Sequence, residues 1–142
     1  MFHEGWGLYS ERLADEMGLY SGDLERFGIL SFDSWRVGRL VVDTGIHALG
    51  WSRQEAIDYM IANSPQATNN IINEVERYIA WPGQALAYKT GQREMFRARN
   101  RAIDTMGDGF DIRAFHDTLL GSGSVPMATM HRLVDGWAAS EV

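Results

Sequence analysis

Apolar residues recur every three or four positions along nearly the whole chain, and no stretch alternates with the period of two that a half-buried strand needs. That periodicity dictates an all-α fold. From Glu4 to Tyr20, the residues Trp6, Tyr9, Leu13, Met17 and Tyr20 form one stripe, which Gly18 weakens and Ser21-Gly22 ends. Asp23 reads as the N-cap of a short segment reaching Ile29. A second helix is expected over Phe32–Leu49. Its Trp35, Val37, Val41, Val42, Ile46 and Leu49 spread around most of the circumference, the pattern of a buried helix. Gly50 stops it. Ser52, with Glu55 three residues on, spells a capping box for a third helix that runs to Asn63 and ends before Pro65. A fourth starts at Ala67 and carries Ile71, Ile72, Val75, Tyr78 and Ile79 until Pro82-Gly83 breaks it. Helix resumes from Gln84 to Met106 and stops at Gly107-Asp108-Gly109. A short helix over Asp111–Leu120 closes at Gly121-Ser122-Gly123, and Pro126 opens the last one. The expectation is one multi-helix bundle of about six or seven helices over residues 1–142.

Composition removes several function classes. There is no cysteine, hence no disulfide framework, no thiolate zinc site and no cysteine nucleophile. No apolar run approaches the ~18 residues of a membrane span. A net charge of −6 argues against a general nucleic-acid binder. The sequence has no nucleophile elbow, phosphate loop or dinucleotide fingerprint. Met1-Phe2 leads straight into a helix, without a basic segment or apolar core typical of a signal peptide. Such a start is expected of the C-terminal part of a longer protein, so the compartment stays open, with the cytoplasm as the default.

Four groups of residues can carry chemistry. His3-Glu4-Gly5-Trp6-Gly7 resembles half of the zinc helix H-E-x-x-H, but Gly7 stands where the second imidazole must be. With Glu11 and Asp15, Glu4 reads first as part of a solvated acidic face; the alternative is a single ligand of a metal site completed elsewhere. Arg36, Arg39, Asp43 and His47 fall within one narrow arc of the second helix, with Arg39/Asp43 and Asp43/His47 each one turn apart. They imply either an internal ion-pair network or the lining of a wet cleft in which Asp43 orients His47. Around the Pro82-Gly83 break, Tyr78 and Tyr88 can be core tyrosines or hydroxyl donors to a developing oxyanion. Lys89, Arg93, Arg97 and Arg101 step by four along the next helix, with Arg99 nearby. That row reads first as a solvated face paired with the acidic first helix.

Three stretches, Glu4-Gly5-Trp6-Gly7-Leu8-Tyr9-Ser10-Glu11, Arg39 to His47 and Glu76 to Tyr88, resemble in order and spacing the C-terminal part of the bacterial domain-of-unknown-function 885 family. Phe110 to His116 fits as well. That family is similar to helical zinc peptidases of the gluzincin type, which include angiotensin-converting enzyme and the thimet-type oligopeptidases. The resemblance implies a helical two-lobed fold with a deep cleft, a peptide substrate, and a zinc ion held by histidines on an upstream helix. It makes Glu4 the third zinc ligand, Arg77-Tyr78 a pair that stabilises the tetrahedral intermediate, and His47 a substrate contact. This chain begins after the family's histidine–glutamate helix, so on its own it is expected to bind no zinc and to be inactive. The alternative is a non-catalytic helical module that self-associates through apolar surface left uncovered.

Overall fold

The computed structural model describes all residues 1–142 and contains seven α-helices and no strand. In order they are α1 (Phe2–Glu16), α2 (Asp23–Ala48), α3 (Arg53–Asn63), α4 (Thr68–Ala80), α5 (Ala87–Met106), α6 (Ile112–Gly121) and α7 (Met127–Ser140). Single 3-10 turns at Gln84–Leu86 and Gly107–Gly109 flank α5.

The helices wrap two neighbouring cores. In the first, α1 packs along α5, with α6 and α7 closing the far side, around Tyr9, Met95, Ala98, Phe115, Leu119 and Val134. In the second, α2, α3 and α4 enclose Val42, Ile57, Met60, Ile71, Val75 and Tyr78. The amphipathic stripes supply both cores, since each helix buries one face and hydrates the other. Asp33 of α2 ties the two halves. Its carboxylate accepts from Lys89 Nζ of α5 at 2.7 Å and Arg12 Nη2 of α1 at 2.9 Å.

The crossing of α1 over α5 depends on two glycines. A Cβ on Gly5 would lie 2.5 Å from the Gly91 carbonyl carbon, and one on Gly91 would lie 2.7 Å from Gly5 Cα. With no side chain at either position the backbones touch. Beside them, buried Gln92 donates from Nε2 to the Leu8 carbonyl at 2.9 Å. Of the two glycines in this part of α1, Gly5 makes the close approach, while Gly7 faces open space.

Several boundaries differ from expectation. α1 stops at Glu16, because Gly18 turns left-handed at φ +68°. Tyr20 lies beyond it and donates its hydroxyl hydrogen to the Glu11 carbonyl. The short segment at Asp23 and the helix expected at Phe32 are one continuous helix, α2, whose cap position is Gly22. Nor is the Phe32–Leu49 stretch buried all round, since Phe32, Val37 and Leu49 are exposed; ahead of it on α2, Leu24, Phe27 and Leu30 are 85 %, 62 % and 52 % exposed. The apolar girdle there has no partner within the chain. The Ser52–Glu55 capping box forms in full at α3. Asp111 caps α6 through Arg113 N–H, and Pro126 sits one residue before α7.

Candidate functional site

The break at Pro82-Gly83 is where most of the polar chemistry converges. α4 ends at Ala80, Gly83 takes φ +82°, and the chain turns through the 3-10 segment into α5. Such an elbow leaves backbone groups without helical partners. α2 runs past it and presents Arg39, Asp43 and His47, one turn apart. The Asp43 carboxylate accepts from Gly83 N–H at 3.0 and 3.2 Å. Arg39 Nη2 donates to Gln84 Oε1 at 2.8 Å. His47 Nε2 lies 2.9 Å from the Tyr78 carbonyl oxygen. A carbonyl only accepts, so Nε2 carries the proton and Nδ1 is left free.

The i,i+4 pairs expected along α2 are therefore not the contacts that form. Neither Arg39–Asp43 nor Asp43–His47 is a hydrogen bond; each of the three residues instead grips the elbow. Through these contacts the stripe latches α2 to the α4–α5 connection. Arg39 and Asp43 are both 98 % buried, whereas His47 is exposed.

Tyr78 stands at the centre of this arrangement. Its hydroxyl accepts from Trp35 Nε1 at 3.0 Å, and its ring lies 5.2 Å from the Arg39 guanidinium. Burial pushes the phenol well above its ordinary pKa, and the nearby Arg39 charge only partly offsets that. The group thus stays protonated far above neutral pH and can donate but not act as a base. Arg77 points outward, bonds Glu74 at 3.4 Å and lies 5.5 Å from the Trp81 ring.

Two features escaped sequence reasoning. The first is the aromatic enclosure of the α2 arginines. Arg36 lies 4.5 Å from the Trp35 ring and 5.0 Å from Tyr88; Arg39 lies 4.5 Å from Tyr88. Desolvated cation–π contacts of this kind are worth about 2 kcal/mol each. The spacing of Trp35 and Arg39, one turn apart, was the available signal. The second is the role of Gln84 as the partner of Arg39, for which the sequence carried no signal.

Glu4 lies apart, near the start of α1, half-buried. It belongs to none of the chain's ion pairs. None of the three surface hollows includes Glu4, His47 or Tyr78. The largest, about 670 Å³, is a mixed-charge groove between α1 and α5 that includes Arg12, Asp15, Lys89, Arg93, Arg97 and Asp104. Of the basic row there, Lys89, Arg97, Arg99 and Arg101 are paired with Asp33, Glu94, Glu16 and Asp135. No three His, Asp or Glu side chains come together in a way that could hold a metal ion.

The sequence matches the family described as bacterial protein of unknown function (DUF885) over residues 1–134. The chain belongs to DUF885. Its fold superimposes, with a TM-score of 0.95 and 44 % identity, on the crystal structure of a protein from Colwellia psychrerythraea described as a "putative lipoprotein". That match covers 98 % of this DUF885 chain and 24 % of the other protein, so the chain spans about a quarter of its relative's length. No match is found among the curated proteins.

Proposed function

We propose that this DUF885 chain is the C-terminal portion of a zinc-dependent peptidase-like protein that hydrolyses peptide bonds when complete. The observation that carries the reading is Glu4. It is a half-buried carboxylate with no ion-pair partner, on a helix whose position is locked by the Gly5–Gly91 contact. A carboxylate so placed suits one ligand of a zinc site whose other ligands come from elsewhere in the complete protein. The donor set fits only to that extent, since this chain contributes a single candidate ligand. When bound, the metal would supply Lewis-acid activation of water.

The chain's own residues have definite roles on this reading. Tyr78, kept protonated by burial, is a hydrogen-bond donor to a developing oxyanion, and Arg77 beside it adds positive charge at the rim. Asp43 fixes the elbow that carries Tyr78, and His47 offers its free Nδ1 to the substrate. In a complete homologue, Glu4→Gln is expected to reduce bound zinc to a small fraction of the wild-type content, with peptidase activity falling in parallel. Full zinc occupancy in that variant removes the assignment.

A second reading is favoured by a different observation. The exposed Leu24, Phe27 and Leu30, with Met17 and Leu19 nearby, form apolar surface of the kind that marks an interaction site. On that reading the chain is a non-catalytic helical module that pairs with a second copy of itself.

A further inference from the structure

Arg36 and Arg39 are two like charges one turn apart on α2, and no carboxylate is bonded to either. Arg39 has one partner, the neutral Gln84 amide oxygen. Arg36 makes no hydrogen bond at all: its Nε and Nη1 are buried without an acceptor, as is Arg39 Nε. The rings of Trp35, Tyr78 and Tyr88 stabilise the charges through their faces. They do nothing for the N–H groups, which point out in the guanidinium plane and need oxygen acceptors. Three buried donor nitrogens on two neighbouring guanidiniums thus have no acceptor within the chain, which is costly unless one is supplied.

The surroundings narrow the ligand. Glu11 of α1 is the carboxylate nearest enough to influence Arg36, and it carries a raised pKa from burial while remaining unbonded to it. Asp43 lies one turn along α2 from Arg39, and Glu74 of α4 stands by Tyr78. These three carboxylates, with Glu25 beside Glu11 and a net charge of −6, penalise a dianion about twice as heavily as a single negative charge. Half-exposed Phe32, 5.8 Å from Arg36, stands between the guanidinium and a hollow of about 540 Å³ whose apolar wall is Leu19, Tyr20, Ile29 and Phe32 and whose rim carries Glu11 and Glu25. A ligand reaching Arg36 from that hollow would bring an apolar body against these side chains and present its charged end to the arginines.

We propose that Arg36 and Arg39 form a carboxylate-binding site for a singly charged anion with an apolar body, as at the free C-terminal end of a short peptide. The planar fork of Arg36 takes the two carboxylate oxygens side by side, Arg39 Nε completes the set, and Phe32 is the wall that moves aside. Describing this carboxylate as the end of a substrate rests on the peptidase reading; the site itself does not.

The test uses the full 142-residue chain without metal, titrated with N-acetyl-alanyl-phenylalanine, its C-terminal amide and inorganic phosphate. Calorimetry gives the affinity, and the arginine Nε–Hε resonances report the site. The free acid is expected to shift the Arg36 and Arg39 resonances and to bind at least about tenfold more tightly than the amide or phosphate. Arg36→Gln is expected to cost about tenfold or more, and Arg36→Lys to restore only part, because an ammonium cannot make the side-by-side pair. Arg93→Gln, on another helix face and outside the cage, is the control that leaves binding unchanged. Equal affinity for acid and amide, or resonances that the acid leaves unmoved, overturns the proposal. Tighter phosphate binding also overturns it. Because the assay involves neither zinc nor hydrolysis, carboxylate binding that persists while Glu4→Gln retains full zinc supports this site and ends the peptidase reading alone.

Discussion

A methyl group at Gly5 would meet the Gly91 carbonyl carbon and Cα at 2.5 and 2.6 Å, backbone atoms that cannot swing aside. The helices must then move apart, at the expense of the Gln92–Leu8 hydrogen bond and the Tyr9 core packed on the same face. Gly5→Ala is therefore expected to destabilise the fold by about 1–3 kcal/mol. Gly7, two residues on, has nothing within 4 Å of its Cβ position and an ordinary helical φ. Gly7→Ala is expected to gain up to about 1 kcal/mol, the difference in helix propensity. Denaturant melts of the two variants check this pair, and equal effects would contradict the close crossing. In the sequence the two glycines are equivalent, each a residue without a side chain in the first turns of α1. Which of them meets a backbone depends on how α1 is rotated against α5, and no local pattern states that rotation.

At the scale of elements, polar residues join helices that the apolar stripes leave adjustable. Asp33 is 16 % exposed between Lys89 and Arg12. Burial alone would raise its pKa, but the bonds from Lys89 and Arg12 outweigh it and hold the carboxyl below its usual range. With a folded-state value below the unfolded one, near ~3.9, its stabilisation is complete above that unfolded value. It is lost as pH falls through the folded value. Asp33→Asn should cost about 2 kcal/mol at pH 7 and flatten the acid limb of the stability curve, so that the two proteins converge at the lowest pH. Thermal melts across pH 7 to 2 test this, and parallel curves would exclude Asp33 as the tie.

The same scale shows where the pattern of α2 was legible and where it was not. A polar stripe of Arg36, Arg39, Asp43 and His47 is plain from their spacing, and so is the break at Pro82-Gly83. That the one exists to hold the other is not, because Gly83, Gln84 and the Tyr78 carbonyl lie 31 to 45 residues away in sequence. Intrahelical pairing was the local alternative. The elbow's open N–H and carbonyl groups provide better-directed partners, and they win.

For the whole molecule, the uncovered half of α2 is the main departure from an ordinary small domain. Leu24 and Phe27 are 85 % and 62 % exposed, and the chain spans about a quarter of its Colwellia relative. If this face pairs with a second copy, light scattering of the purified chain gives a dimer or larger species that disperses when Leu24 and Phe27 are both replaced by Glu. A clean monomer at about 100 µM, weak even for a transient interface, removes the self-association reading.

Local chemistry alone determined the all-helical class, the caps at Ser52 and Asp111 and the break at Pro82, because periodicity and turn residues act within a few positions of themselves. Glu4, Asp43, His47, Arg77 and Tyr78 could be nominated from the sequence for the same reason. Only the tertiary structure decided which of them meet. It gathered Asp43, His47 and Tyr78 at one elbow, turned Arg77 outward, kept Glu4 apart on α1 and left Arg36 Nε and Nη1 and Arg39 Nε without an acceptor. Those outcomes follow from helix rotation and crossing, which are set by packing among residues far apart in the chain.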